Sequence, residues 1–537
     1  MPGWNFADVW EVIAEQIPDA QALVHGDRRV TWSELDRRAD GIAATLLERG
    51  AVEQDKVAQY LYNGNEYLES MFAAFKAGLV PINTNYRYRD DELVYLWDNA
   101  DCVAVVFHGV FAETIDRIRD RVPRVVTWLW VDDGSGPCPA WATPYEQAAT
   151  AGRGERLVAP WGRSGDHIMM TYTGGTTGMP KGVMWRQDDL FLTLVAQMNP
   201  AYRDAEPDLE LVRQQVKVPG PVGMPACPLM HGTGLYTQLI VLSLGGSSVT
   251  LVARHLDVEE LFDTVERERV NQMAIVGDAF GKPMLKALDE NPGRWDLASL
   301  LLVASSGVMF SEPVKQGLLK HHPGMLLVDA FSSSEALGMG QSISSGTSAG
   351  QTARFQLGEN TIVVTDDGRR VEPGSGEIGR VAVGGHQPLG YYKDPDKTAA
   401  TFIELEGKRY SCPGDYAMVE ADGSLTLLGR GSVVINTGGE KVFPEEVEEV
   451  LKTHPAVRDA VAVGVPDDKF GEVVAAVVEP AAGGELAADE LIAHVRSKLA
   501  AYKAPKHVVP IDTIGRAPNG KVDYKRLKAF AADNHDG

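Results

Sequence analysis

A chain of 537 residues is too long for one ordinary compact core, so a large body and at least one further domain are expected. With 74 Asp plus Glu against 51 Lys plus Arg, the net charge of -23 would repel a phosphate backbone over most of the surface, which argues against a nucleic-acid partner. A hydrophobic content of 44% with 23% charged residues reads as globular and argues against disorder.

The cysteines Cys102, Cys138, Cys227 and Cys412 lie far apart, with neither metal-ligand spacing nor a disulfide framework, and fit a reducing cytoplasm. The start, Met1-Pro-Gly-Trp-Asn-Phe-Ala-Asp, lacks a basic stretch followed by an apolar one, so no signal peptide is read. The most apolar region, Leu239 to Ala253, is broken by Gly245-Gly-Ser-Ser248 and is too short to span a bilayer. Peripheral membrane contact and a homodimer are left open.

In chain order, Thr31-Trp-Ser-Glu34 has capping-box spacing, and Leu35, Ala39, Ile42 and Leu46 then share one helical face before Gly50. Buried-strand patterns follow at Val57 to Leu61 and Val103 to Phe107, then beyond residue 298 at Ser299 to Ala304 and Gly324 to Asp329. Helices alternate with them, which predicts an α/β body. After about residue 355 short strands separated by turns predict a β-rich subdomain to residue 429: Thr361 to Thr365, Gly379 to Val383, Ser424 to Leu428. A helix from Pro444 to Leu451, strands Ala460 to Val465 and Val473 to Val478, and a helix near Asp489 to Leu499 predict an independent α+β cap. The expected organisation is therefore a large N-terminal domain over 1–429, a hinge at 430–434 (the linker read from Gly429 to Val434) and a mobile α+β domain over 435–537.

Between the strand pattern His167 to Thr171 and Lys181-Gly182 runs Tyr172-Thr-Gly-Gly-Thr-Thr-Gly-Met-Pro-Lys181. Gly174, Gly175 and Gly178 let backbone approach oxyanions, the hydroxyls of Thr173, Thr176 and Thr177 donate, and Lys181 adds a point charge, which suits a triphosphate. The Gly-Lys-Ser/Thr ending of a Walker loop is absent, and a flexible polar turn is the plain alternative.

With this loop the sequence resembles the adenylate-forming superfamily of acyl-CoA synthetases, peptide-synthetase adenylation domains and luciferases, along nearly the whole chain. Phe331-Ser-Ser-Ser-Glu335 resembles the family's aromatic-Gly-x-Thr-Glu motif, implying Phe331 under adenine, Ser332 and Ser334 as nucleotide contacts, and Glu335 on Mg²⁺ together with Thr173. By the same resemblance Asp329 faces the adenine, Ser306-Gly307 flanks it, and Asp415, in Pro413-Gly-Asp415 where relatives carry Thr-Gly-Asp, holds the ribose. Arg430 would reach ribose or phosphate. In the run Asn436-Thr-Gly-Gly-Glu440, Gly438 and Gly439 would let pantetheine pass. Lys521, in Arg516-Ala-Pro-Asn-Gly-Lys521, would enter the site during adenylation, where a cation stabilises the charge growing at the α-phosphorus. A solvated surface lysine is the alternative for that motif read by itself.

His231, in Cys227-Pro-Leu-Met-His231-Gly-Thr-Gly234, is expected to position substrate, a structural histidine being the alternative. Acyl-pocket and thiol-channel candidates are Gly277 in Val276-Gly-Asp-Ala-Phe280, Gly307 in Gly307-Val-Met309, and Gly338 in Leu337-Gly-Met-Gly340, with Asp278 ambiguous. The small and apolar residues favour a hydrophobic acid over an amino acid. Val183-Met-Trp-Arg186 and the Pro-Leu-Met-His-Gly segment resemble actinobacterial fatty-acyl and steroid-side-chain CoA ligases. The implied chemistry joins an acid to AMP with Mg-ATP, releases pyrophosphate, and passes the acyl group to coenzyme A after the cap rotates. The rivals are a ligase loading a separate carrier protein, a non-catalytic nucleotide or acyl-adenylate sensor, and a luciferase-type oxygenase.

Overall fold

The computed structural model describes residues 3–151, 156–173, 179–203, 205–346, 350–437, 440–467, 470–481, 486–517, 520 and 522–534. Among these residues the strands form sheets of 15, 8 and 5 strands. At the helix Trp32–Glu48 the Thr31 hydroxyl accepts from the Glu34 backbone N–H at 3.2 Å, and Leu35, Ala39, Ile42 and Leu46 are buried on its inner face.

The 8-stranded sheet sets Val80–Asn83, Lys56–Tyr60, Cys102–His108 and Thr127–Val131 side by side in parallel. Ile168–Thr173 joins its Val80 edge, and the chain then turns back antiparallel as Lys181–Arg186. In the 15-stranded sheet, Ser247–Thr250, Val222–Pro225, Gln272–Ile275, Leu302–Ser306 and Leu326–Phe331 are consecutive parallel neighbours, followed by antiparallel Gly340–Ser345.

Side chains alternate across these strands, so one face carries Met273, Ile275, Val303 and Leu327. These pack into a core with Phe262, Met284 and Leu318 from the helices Val258–Glu268, Asp278–Glu290 and Glu312–His321. The strand expected from Ser299 begins at Leu302. Leu300 is turned back on Leu297, and the Asn271 carbonyl takes the N–H of both Leu301 and Leu302, so pairing with Gln272 starts only there.

The β-rich stretch after residue 355 continues the same sheet, because Arg354–Leu357 pairs with Gly340–Ser345 on one side and Ser424–Arg430 on the other. Arg430 ends that strand opposite Asp415, and Gly431–Val433 form a short 3-10 turn. Gly429 has φ +118°, and a Cβ there would run into the Glu445 carboxylate of the following domain, so this junction requires glycine. Across the same junction the rings of Tyr416 and Phe443 stand 5.7 Å apart.

In the last domain the long hairpin Val457–Asp467 and Gly471–Pro480 is apolar on both faces. One face (Ala460, Ala462, Val474, Ala476) takes the helices Pro444–Lys452 and Ala488–Arg496 through Val447, Leu451, Leu491 and Val495. The other (Val461, Val463, Ala475, Val477) takes the helix Tyr524–Asn534 through Leu527 and Ala531. Among the described residues no helix is long and apolar enough to cross a membrane.

Candidate active site

A cleft of about 2480 Å³ runs between the N-terminal body and the last domain and continues into the body. Its first wall is the base of the Gly/Thr loop. Thr173 and Lys181 stand opposite each other in the antiparallel pair, so a threonine hydroxyl and an ammonium flank the loop between them. Gly174, Gly175, Thr176, Thr177 and Gly178 lie outside the described residues. The Lys181 ammonium pairs with the Asp394 carboxylate, which also caps the helix Pro395–Thr401 by accepting the Lys397 N–H at 2.9 Å. The Lys181 hydrogen bond holds the Asp394 carboxyl below its ordinary pKa.

Asn83 fixes this loop to the His231 segment. Its amide oxygen accepts the Tyr172 N–H at 2.7 Å, and its Nδ2 donates to the carbonyls of Tyr172 and Met230 at 2.9 and 2.7 Å. His231 is the N-cap residue of the helix Gly232–Ser243 and lines the cleft.

Glu335 follows the strand Leu326–Phe331 and is held from both ends. The Tyr391 hydroxyl donates to its Oε1 at 2.9 Å, and the Ser411 hydroxyl donates to its backbone carbonyl at 2.6 Å. The Trp185 indole donates to the Ser334 carbonyl at 2.9 Å, which ties the segment to the strand that begins at Lys181. Ser332 turns inward to accept the Gly338 N–H at 3.1 Å. Tyr236 bonds Thr171 at 3.1 Å and Ser334, and burial pushes its phenol up to about 12.

Phe331, Asp329, Ser306 and Gly307 all line the cleft, and Phe331 is backed by Phe355 at 5.5 Å. Asp415 is buried at the head of its strand, opposite the Arg430 backbone. The Arg430 side chain, Gly438, Gly439 and Lys521 lie outside the described residues. The turn before Lys521 does reach the body: a Cβ on Gly520 would touch the Val308 side chain at 2.9 Å. Arg516 anchors that turn, donating to the Gly520 carbonyl at 3.1 Å and to Asp459 at 2.6 and 2.9 Å.

Gly277 has φ +51°, and a Cβ there would overlap the Met309 carbonyl, so this glycine lets the two turns close on each other. Gly338 also lines the cleft. Asp278 lines the cleft as well: one oxygen accepts the Ser311 N–H at 2.9 Å and the Ser311 hydroxyl at 3.0 Å, and the other lies 3.7 Å from the Lys282 ammonium.

Beyond the Ser306 turn the cleft floor is the sheet face away from the helices. Register places Ala274, Ala304, Val328 and Ile343 in one row, with Gln272, Leu302 and Leu326 in the next. The row is flanked by Thr237 and Ile240 of the helix Gly232–Ser243, and Ile343 at its open side is 55% exposed. Sequence reasoning missed this floor, as well as Asn83, Tyr236, Tyr391 and Asp394. The alternation along each strand was visible, but which strands are neighbours was not.

The described residues bring together Thr173 and Lys181 at the two ends of the Gly/Thr run, a braced carboxylate at Glu335, the Phe331 ring and an apolar groove. The AMP-binding enzyme family matches residues 10–392 and the AMP-binding enzyme C-terminal domain matches residues 446–521, and the chain belongs to this family. Its reaction class is the AMP-forming ligation of a carboxylic acid through an acyl-adenylate.

Among similar proteins, 3-oxocholest-4-en-26-oate–CoA ligase of Rhodococcus rhodochrous is 42% identical over 532 residues, covering 98% of this chain and 95% of that one. A medium/long-chain-fatty-acid–CoA/3-oxocholest-4-en-26-oate–CoA ligase of Mycolicibacterium smegmatis is 40% identical, covering 98% of this chain and 96% of that one. Among solved structures, an anthranilate CoA ligase in complex with anthranoyl-AMP superposes with a TM-score of 0.82 at 21% identity, covering 99% of this chain and 98% of that one, a likeness of fold.

Proposed function

We propose that this enzyme activates a hydrophobic carboxylic acid, a medium- or long-chain fatty acid or a sterol-derived side-chain acid, with Mg-ATP and transfers the acyl group to coenzyme A. The observation that carries the reading is the apolar sheet face that continues the cleft beyond the Ser306 turn. Alanines at 274, 304 and 330 leave that floor low and wide, which suits a bulky or long apolar body. Asp278, which lines the cleft, has Lys282 3.7 Å from one oxygen and Ser311 bonded to the other, so its charge is already answered within the protein, which speaks against an amino-acid substrate.

In this reading Thr173, Lys181 and the loop between them hold the phosphates, and Phe331, Ser306 and Gly307 hold the base. Asp415 and Arg430 serve the ribose, and Lys521 serves the reacting carboxylate and α-phosphate. Among the described residues no three acidic, His or Cys groups converge as a metal cage. A single braced carboxylate at Glu335 fits Mg²⁺, which takes most of its ligands from phosphate and water. Gly438 and Gly439 would admit the pantetheine arm, with His231 beside it.

Pyrophosphate release across a panel of acids tests the reading: apolar acids are expected to support it and amino acids are not, and the reverse order would overturn it. Ala304→Phe is expected to lower kcat/KM for ring-bearing acids by roughly 10-fold or more while acids of six carbons or fewer are spared. Equal losses for every acid would show that the groove does not hold the acyl body. Tyr391→Phe is expected to raise the Mg²⁺ concentration for half-maximal rate by roughly 10-fold, the worth of a hydrogen bond to a charged group. An unchanged Mg²⁺ curve would remove Glu335 from the metal.

A further inference from the structure

The turn that follows Gly390–Tyr391 touches two of the groups that the proposed function gives to the polyphosphate and its metal. Gly390–Tyr391 pairs antiparallel with Val183 and Met184 of the strand Lys181–Arg186, and the Tyr392 N–H donates to the Gly182 carbonyl at 2.8 Å. The turn therefore lies alongside the first residues of the lysine's own strand. Three residues apart on it, Tyr391 reaches Glu335 and Asp394 reaches Lys181. Between them, the Tyr392 hydroxyl donates to Asp101 at 2.8 Å and the Lys393 ammonium stands 2.7 Å from the same carboxylate, which pins the turn to the body just ahead of the strand Cys102–His108.

Asp394 divides its two oxygens. Oδ1 accepts the Lys397 N–H at 2.9 Å as the N-cap of the helix Pro395–Thr401, and Oδ2 takes the Lys181 ammonium. The cap fixes the direction of the carboxylate, so its charge is held toward the lysine instead of swinging into water. The Lys181 side chain is 40% exposed and that of Asp394 26%, and an ion pair so open to water adds little to stability. Its effect falls on the lysine: an anion that takes this ammonium does so in competition with a carboxylate held in place by its own helix.

We propose that Asp394 is a positioning residue that competes with phosphate for the Lys181 ammonium and so weakens the grip of the site on polyphosphate, which eases the departure of pyrophosphate after adenylation. The inference rests on the proposed function for the place of the phosphates. A carboxylate beside the lysine offsets its charge and repels a second anion, so ATP and pyrophosphate are both held less tightly than the lysine alone would hold them. Adenosine, which carries no phosphate, is indifferent to it. Asp394→Asn removes the charge and keeps a side chain that caps a helix equally well, and Asp394→Ser does the same with a shorter one.

The test measures equilibrium binding of magnesium pyrophosphate, Mg-ATP and adenosine to the full chain, without acid or coenzyme A, in the wild type and in Asp394→Asn, with Asp394→Ser as the second variant should the first fold poorly. The variant is expected to bind pyrophosphate and ATP roughly 5-fold more tightly, the most that an exposed pair contributes, with adenosine affinity unchanged. In steady state the KM for ATP should fall without a rise in kcat, and pyrophosphate should inhibit at lower concentration. Weaker binding of pyrophosphate and ATP would show that Asp394 instead holds Lys181 in place for phosphate, and overturns the proposal. Unchanged affinities overturn it too, as does a change that adenosine shares. A wild type that binds adenosine but neither pyrophosphate nor ATP would sink the phosphate reading itself and the inference with it, whereas tight phosphate binding with no response to residue 394 sinks the inference alone.

Discussion

Replacing Lys521 with alanine is expected to lower acid-dependent pyrophosphate release by roughly 100- to 1000-fold, the range found when one donor is removed from a charge-stabilising site. Although Lys521 lies outside the described residues, the turn that carries it is pinned by Arg516 to Asp459, and its Gly520 lies against Val308 in the wall of the cleft. The loss should be confined to the first half-reaction. Supplied with preformed acyl-adenylate, Lys521→Ala should make thioester at close to the wild-type rate, because in the proposed cycle the cap has by then rotated and taken Lys521 out of the site, leaving AMP to depart without it. Equal loss in both halves would mean that the lysine holds the cap in shape rather than the transition state.

Glu335→Gln should cost roughly 100-fold in the same first step, about 3 kcal/mol of charge stabilisation by a bound metal. The substitution keeps the size of the side chain and leaves Tyr391 a carbonyl oxygen to donate to, so the stability of the fold should change little. The thioester step, from which pyrophosphate has gone, should again be spared. Full activity in Glu335→Gln at limiting Mg²⁺ would place the ion elsewhere.

Much of this architecture was legible in the sequence because its signals are local. The Thr31 box, the strand patterns around Val57 and Val103, and the loop bounded by Thr173 and Lys181 each depend on residues close together in the chain. The site residues that escaped are those whose role comes from pairing over long separations. Asn83 bonds Tyr172 and Met230, Tyr391 bonds Glu335, and Asp394 meets Lys181; each looks ordinary in its own segment. The acyl floor escaped for the same reason, since Ala274, Ala304 and Val328 become one surface only when their strands are set in register. Asp278 gained partners that the sequence did not show, since Ser311 and Lys282 reach its carboxylate in the cleft wall from elsewhere in the fold and one turn along its own helix.

The central claim is tested most directly by a single turnover. Enzyme in excess is mixed with Mg-ATP and a hydrophobic acid without coenzyme A, and the quenched products are separated, then the thiol is added. The account predicts one equivalent of pyrophosphate with enzyme-bound acyl-adenylate in the first phase, and acyl-CoA with AMP in the second. ADP and phosphate as products, or an acyl-adenylate that coenzyme A leaves untouched, would contradict it.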